Sequence, residues 1–334
     1  MFFSVIVPTF SRPDEVSELL TSLESQDNKN FEVILADGSL DDSVRAVAVQ
    51  FKEKLKLIHL HQKGLGISES RNWGVEHAGG DWLVFFDSDC VIPPQYFTEV
   101  ETSLNSHPLD AYGGPDRAAE TFNNRQRAIS YAMTSFFTTG GIRGKKQHVG
   151  QYQPRGFNMG IRKDAFLSVG GYSGLKVSED IDLSMRLYKK GYKTGLIQAA
   201  YVYHKRRSTF YKFFRQVSSF GSGRIDLHLR HGDALKPVHL LPALFVVYLA
   251  GGILAGLFSK TLFLLWLASL ILYMILVFAD ATIQNRSPVV GLLSLYAAFI
   301  MLAGYGTGML KAMVMRMMLG SRKESEKPEI TKEA

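Results

Sequence analysis

Apolar positions along the amino-terminal part of the chain follow two alternating rhythms. Ser4-Val5-Ile6-Val7 is a short apolar run stopped by Pro8 and reads as a strand. After a loop over 9–12, Pro13 suits a first helical position. Val16, Leu19, Leu20 and Leu23 then recur at i, i+3, i+4 and i+7, which is one helix face. The alternation repeats: a strand over 31–35 ended by Asp37-Gly38-Ser39, a helix over about 43–54, a strand over 57–60, and a helix over 67–77 ended by Gly79-Gly80. Residues 82–86, Trp-Leu-Val-Phe-Phe, are apolar without alternation, as in a strand covered on both faces. Strands alternating with helices predict an α/β fold with a mostly parallel central sheet and right-handed crossovers. In such sheets ligands sit beyond the carboxyl ends of the strands. Thr9, Asp37 and Asp87-Ser88-Asp89 each fall at such an end, so the fold gathers them on one edge.

The rhythm changes after residue 236. Residues 240–258, 262–279 and 289–310 are three nearly uninterrupted apolar stretches. Each approaches the roughly 20 residues a helix needs to cross a bilayer. Gly251, Gly252 and Gly256 suit close helix packing in lipid. The expected organisation is a catalytic α/β domain over 1–204, a basic amphipathic segment at the membrane interface over 205–236, a membrane region of about three helices over 237–319, and a charged, disordered tail over 320–334.

Charge sharpens this division. The formal net charge of +7 is concentrated in one place. From Lys205 to Lys236 there are eight basic residues (Lys205, Arg206, Arg207, Lys212, Arg215, Arg224, Arg230, Lys236) against two acids, Asp226 and Asp233, a net +6. A basic run next to a membrane span is attracted to anionic headgroups, and the apolar tail makes that reading stronger than nucleic-acid binding. Cys90 is the only cysteine, so an intrachain disulfide is excluded. The chain opens on a strand-like run without the charged start and cleavage site of a secretory signal. The catalytic part is therefore expected on the cytoplasmic face of the inner membrane. One conflict remains in the pattern. Three spans put the carboxyl terminus outside, yet Lys311, Arg316, Arg322 and Lys323 follow the third stretch, and positive charge prefers the inside. Either that stretch is re-entrant or the charge rule is overruled.

The candidate chemistry centres on Asp87-Ser88-Asp89. Two carboxylates at this spacing can share a hard cation, Mg²⁺ or Mn²⁺, with substrate phosphates completing the coordination. Alone, such a tripeptide is more often a solvated turn. The surrounding motifs change that balance. Val5-Ile6-Val7-Pro8-Thr9-Phe10-Ser11-Arg12 resembles the "V-I-P-T-Y-N-R" opening of family-2 inverting glycosyltransferases of the GT-A fold, and the family's further marks follow in order. Ala36-Asp37-Gly38-Ser39 resembles "D-D-G-S" with its first acid replaced by Ala36, and Ser70-Arg71-Asn72-Trp73-Gly74 resembles "A-R-N-x-G". Phe86-Asp87-Ser88-Asp89 resembles "L-D-S-D", and Gly156-Phe157-Asn158-Met159-Gly160-Ile161-Arg162 resembles "G-x-N-x-A-x-R". The segment over 178–187, with Glu179-Asp180-Ile181-Asp182-Leu183, resembles "x-E-D-x-D-L-x-x-R". The resemblance covers about residues 1–225.

The resemblance implies roles. Pro8, Thr9, Asp37, Arg71, Asp87 and Ser88 would form the donor-nucleotide site, with Asp37 on a uracil-type edge, Arg71 at the phosphates and Asp87 facing the ribose or donor sugar. Asp89 and His204 would bind the metal, and Asp180 would be the catalytic base. Asn158, Glu179, Gln216 and Arg224 would contact acceptor or diphosphate. Ser178 is a good N-cap for the helix that carries Asp180. Acids in a first helical turn also stabilise the helix dipole, and Asp182 fits that plainer role. The chemistry asks for the same set independently: a departing diphosphate needs positive charge, and an attacking hydroxyl needs a carboxylate base. The Gln-x-x-Arg-Trp motif of processive synthases is broken after Gln216. The expected function is transfer of a sugar from a nucleotide-diphosphate donor, UDP-sugar favoured, to a lipid-linked saccharide in cell-surface glycan synthesis. The alternatives are transfer to polyprenyl phosphate, or a non-catalytic membrane-bound nucleotide-sugar-binding subunit.

Overall fold

The computed structural model of the protein describes residues 1–117, 122–140, 152–205 and 209–319. The tail over 320–334, with Arg322 and Lys323, and the basic residues Arg206 and Arg207 lie outside the described residues. In chain order the strands are β1 (Phe3–Thr9), β2 (Phe31–Asp37), β3 (Leu57–His61), β4 (Trp82–Phe86), β5 (Cys90–Val91), β6 (Ala111–Gly113), β7 (Asp116–Arg117), β8 (Asn158–Arg162), β9 (Thr194–Leu196) and β10 (Val202–His204). The helices are α1 (Pro13–Glu24), α2 (Ser43–Phe51), α3 (Ile67–Glu76), α4 (Tyr96–Ser106), α5 (Asn124–Thr134), α6 (Phe136–Thr139), α7 (Lys163–Ser168), α8 (Glu179–Lys189), α9 (Phe210–His231), α10 (Leu241–Phe258), α11 (Lys260–Asn285) and α12 (Pro288–Leu319). They form two compact units, an α/β unit made of the described residues of 1–119 and 149–205 and a helical unit made of those of 120–148 and 206–325.

The α/β unit is built on a seven-stranded sheet in the order β3-β2-β1-β4-β8-β6-β9. The strands β3, β2, β1 and β4 are mutually parallel, as the alternating pattern predicts. β8 then enters antiparallel between β4 and β6, and β9 pairs parallel with β6. A small second sheet, β5-β10-β7, joins the chain just after Asp89 to the segment ending in His204. β1 runs two residues further than its apolar core: Pro8 and Thr9 stay in register with Ala36 and Asp37. Proline is tolerated there because β4 pairs with β1 only as far as Ile6, so one edge of β1 is already free of the ladder.

Alternate residues of each central strand feed two apolar layers. Val5, Val7, Leu35, Val84 and Phe86 pack with α1 and α4 on one face. Ile6, Ile34, Leu83 and Phe85 pack with α3, α7 and α8 on the other. Both faces are covered, which is why these strands read as continuous apolar runs. Complete burial of one side chain such as Phe85 contributes about 1.5–3 kcal/mol. α3 reaches the sheet through Gly74: a Cβ there would stand 2.6 Å from Ile6 Cγ2 and 3.7 Å from Ile34 Cγ2.

In the helical unit α10 and α11 leave their apolar side chains open, with 11% and 6% of their most apolar windows buried. The corresponding figure for α12 is 56%, because α5, α9, α10 and α11 all pack on it. All three are long and apolar enough to cross a membrane. α9 and α12 run in the same direction, with Phe210 edge-on to Tyr296 near one end and Asp226 paired with Arg316 near the other. α12 is one unbroken 32-residue helix, so it has no turn of the kind a re-entrant segment needs. Of the three glycines singled out in the sequence, Gly252 and Gly256 meet Trp266 and Phe263, while Gly251 faces open space.

Gly74→Ala is expected to cost about 1–3 kcal/mol by forcing α3 off the sheet. Gly79→Ala, where a Cβ would make only ordinary contact at 3.4 Å, is expected to be close to neutral. Thermal melts of the full chain in detergent check this, and equal Tm values for the two variants would refute the packing argument.

Candidate functional site

The side chain that organises the carboxyl edge of the sheet is Arg71. It lies on α3 and is 1% exposed. Its two terminal nitrogens donate in different directions, Nη1 to Glu179 Oε1 at 2.8 Å and Nη2 to Asp87 Oδ1 at 2.9 Å. The guanidinium also stacks on the Tyr172 ring, 5.0 Å from its centroid. Gly156 permits this arrangement, because a Cβ there would stand 2.6 Å from Arg71 Nη2. Burial works against the charged guanidinium, but Tyr172, Asp87, Glu179 and Asp180 together raise its pKa above the ordinary arginine value. The two members of the pair Arg71–Glu179 do not titrate alike. Burial first, and repulsion from Asp180 second, push the Glu179 carboxyl up to about 7, against the lowering pull of Arg71. The buried acid is therefore close to its titration point at neutral pH.

Asp180 follows at the start of α8 and is half-buried. Its Oδ2 accepts the Gly156 N–H at 3.1 Å and its Oδ1 accepts the Ile181 N–H at 2.8 Å. Ser178 occupies the N-cap position but does not cap with its side chain. It takes a left-handed conformation, φ 64°, and its carbonyl receives the Asp182 N–H instead. Asp182 is fully buried and bonded to Ser173 and Arg186, which makes it a structural anchor of α8.

Asp87 and Asp89 point to different partners. Asp87 faces Arg71, whereas Asp89 receives Arg12 Nη1 at 3.1 Å on Oδ2 and lies 3.1 Å from His204 Nε2 through Oδ1. Ser88 between them is buried. His204 arrives on β10, which pairs with β5 at Cys90, and its ring stacks on Phe157 at 4.8 Å. Asp89, Cys90 and His204 place one ligand atom each within 4.8 Å of one another. Burial pushes the Cys90 thiol well up. The carboxylate and imidazole of this group suit a divalent ion such as Mn²⁺.

Other residues expected at the site are committed elsewhere. Asp37 is completely buried; Oδ1 accepts the Ser39 N–H at 2.9 Å and Oδ2 lies 3.0 Å from His59 Nε2. Burial pushes its carboxyl up, but the bonds from His59 and Ser39 outweigh this and hold it below the usual value. Oδ1 thus shapes the turn after β2, which also receives the Ser11 N–H on Ser39 Oγ at 2.7 Å, while Oδ2 faces β3. Asn158 is likewise fully buried, held by Tyr96 at 2.6 Å and Ala200 at 2.8 Å. Thr9 and Pro8 are buried at the end of β1, and Thr9 Oγ1 has no hydrogen-bond partner. Gln216 and Arg224 lie on α9 in the helical unit, where Arg224 donates to the Ala234 carbonyl at 3.5 Å. Arg71, expected at the phosphates, instead has both terminal nitrogens consumed by acids and almost no exposed surface.

Three contributors had not been singled out. Tyr172 under Arg71 and His59 behind Asp37 sit in segments with no motif, and only their contacts reveal them. Arg12 stood within the opening motif, where its charge beside the acidic tripeptide was the available signal.

The family model "Glycosyl transferase family 2" matches residues 4–168. The succinoglycan biosynthesis protein ExoA of Rhizobium meliloti is 26% identical over 262 residues, 75% of this chain and 77% of its own length. The glycosyltransferase AglE of Haloferax volcanii is 23% identical over 257 residues, 72% and 78% of the respective chains. Among solved structures, a mannosyltransferase of Pyrobaculum calidifontis in complex with GDP-Man and Mn²⁺ superposes with a TM-score of 0.67 at 16% identity, covering 93% of this chain and 86% of its own. A fragment of S. aureus TarS superposes with a TM-score of 0.51 at 20% identity, covering 94% and 92%. At these identities the likeness is one of fold, GT-A-like, and in this chain three long apolar helices follow it. Over residues 4–168 the chain therefore belongs to glycosyl transferase family 2.

Proposed function

We propose that the protein is a membrane-anchored, inverting glycosyltransferase that moves a sugar from a nucleotide-diphosphate donor to a lipid-linked saccharide acceptor in cell-surface glycan synthesis. The observation that carries this reading is the pairing of two sites on one sheet edge. A carboxylate and an imidazole, Asp89 and His204, stand beside one another, and Asp87, two residues before Asp89, is tied through Arg71 to Glu179 of the Glu179-Asp180 pair. The first suits a metal ion that would supply positive charge to the departing diphosphate. The second presents a carboxylate to the acceptor hydroxyl.

In this reading Asp180 accepts the hydroxyl proton as the acceptor oxygen attacks the anomeric carbon, and the bond to the diphosphate breaks on the opposite face. The backbone N–H groups of Gly156 and Ile181 orient its two oxygens. Arg71 is a positioning residue that fixes Asp87 and Glu179. A UDP-sugar remains the favoured donor from the sequence pattern, and the mannosyltransferase solved with GDP-Man makes GDP-sugars the comparison to run. The relative named for succinoglycan biosynthesis supports surface glycan as the product class. The three apolar helices support a membrane-anchored enzyme and a lipid-borne acceptor.

Titration calorimetry of UDP- and GDP-sugars with Mn²⁺ tests the donor site. Binding of one of them is expected, with His204→Ala raising the Mn²⁺ requirement at least about tenfold. No binding of either sugar with Mn²⁺ present overturns the donor assignment. Asp180→Asn is expected to keep donor affinity and to lower kcat by about 10²- to 10⁴-fold; unchanged transfer to a membrane lipid extract, read by mass spectrometry, rules Asp180 out as the base. Glu179 generates a third expectation. Folded Glu179 keeps its proton up to about pH 7, whereas the unfolded chain loses it near the ordinary carboxyl value of 4.5. Its stabilising contribution is thus present at the acid end and lost as pH rises through that window. Relative to Glu179→Gln, the wild-type Tm should fall between about pH 5 and 8, and parallel Tm profiles would contradict the raised pKa.

A further inference from the structure

The helical unit contains an apolar groove that plays no part in the site described above. Its volume is about 480 Å³, and Phe136, Phe137, Phe245, Leu270, Tyr273 and Leu302 line it. That size is ordinary for a small-ligand site, usually about 300–1,000 Å³. Its chemistry is unusual in one respect: the hydroxyl groups on its rim are spent internally. Thr138 Oγ1 donates to the Ala132 carbonyl at 2.5 Å, Tyr248 to the Trp266 carbonyl at 3.2 Å, and Tyr273 to the Phe137 carbonyl at 3.3 Å. A hydrogen-bond acceptor entering here would lose its water without gaining a hydroxyl donor, at a cost of about 1–3 kcal/mol per unsatisfied group. A hydrocarbon chain would lose nothing.

Two further observations specify the occupant. The groove is walled in part by α10 and α11, whose apolar windows are only 11% and 6% buried, so it is continuous with the surface these helices offer to lipid. The chain segment that enters one end of the groove carries a cation, Lys236. The turn Pro237–Leu240 leads into Leu241, which lines the groove, and Val238 in that turn lies 3.2 Å from where a Cβ on Gly140 would stand. Lys236, the residue before the turn, is exposed, and His239 lies within it. Apolar walls with a basic mouth complement a molecule that is hydrocarbon along its length and anionic at one end.

We infer that this groove binds the hydrocarbon chain of the acceptor's lipid anchor, a single-chain lipid phosphate whose phosphate meets Lys236. The inference rests on the reading that the acceptor is lipid-linked. It adds a second determinant of acceptor choice, the anchor, to whatever saccharide the catalytic edge selects. Aromatic walls hold a chain by dispersion along its length, so longer chains gain affinity until the groove is full.

The test uses the full chain in phosphatidylcholine nanodiscs and a polyprenyl phosphate carrying a photoreactive diazirine in its tail. Cross-links are expected on Phe136, Phe137 or Tyr273. Unlabelled polyprenyl phosphate should displace the probe at concentrations at least about tenfold below those needed for the uncharged polyprenol, and Lys236→Gln should remove most of that difference. Leu270→Trp and, separately, Leu302→Phe should fill the groove and abolish these cross-links while nucleotide-sugar binding stays unchanged. Equal displacement by phosphatidylglycerol identifies ordinary bilayer lipid and overturns the inference, as do cross-links that persist in both filled variants. If labelling fails while a nucleotide-sugar still binds, the groove assignment alone is lost. If labelling holds and no nucleotide-sugar binds, the donor reading alone is lost.

Discussion

The α/β unit depends on one buried cation. Placing a guanidinium at 1% exposure carries a desolvation cost of several kcal/mol, which is recovered only if its hydrogens and charge are matched closely. Asp87, Glu179 and the face of Tyr172 supply that match from three distant parts of the chain. The constraint runs both ways. Removal of either acid leaves charge uncompensated in a dry interior, so the end of β4, the start of α8 and the loop before it are held to one another through Arg71. The close fit extends to Gly156, whose N–H then falls within reach of Asp180. Geometry at the candidate base is in this sense inherited from a guanidinium that has almost no surface of its own.

A second arrangement stands beside the first and differs from it in kind. Asp89 and His204 are brought together by the short β5-β10 pairing, and their partner Arg12 is more than one-third exposed. Where Arg71 is permanent, Arg12 is a solvent-side counter-charge on a flexible stem. A carboxylate whose neighbour can move aside is suited to exchange one cation for another, while a carboxylate held by a buried guanidinium is suited to stay in place. The two aspartates of one tripeptide are therefore divided between a fixed and an exchangeable environment.

Much of this was legible in the sequence because the physics was local. The runs at Val5–Val7 and 82–86 had to be covered on both faces, and i, i+3, i+4 spacing defined α1, so the four parallel strands and the edge carrying Thr9, Asp37 and Asp87 followed. What was not legible depended on distant pairing. β8 reads as a motif with Asn158 and Arg162 at its ends, and nothing in its pattern says that it inserts antiparallel beside β4. For that reason Asn158, placed by motif near a substrate, proves to be a buried strut between Tyr96 and Ala200. Arg71 and Asp37 were found by the motifs, but the motifs do not record that their polar atoms face inward. Ser178 shows the same limit on a smaller scale, since residue type marked the start of α8 while its left-handed backbone could not be read from type alone.

The helix α12 has a consequence of a different sort. With 56% of its apolar window enclosed by protein and the rest open, it satisfies two requirements in one sequence. One face must match the ridges of α5 and α9, where a single methylene matters; the other needs only to be oily. Drift in the sequence should accordingly be lopsided, free among exposed residues such as Val289 and Leu292 and tightly held among Ala297, Ala298 and Met309. An unrelated apolar helix grafted in its place would reproduce the oil and lose the fit, so α12 is not an interchangeable part.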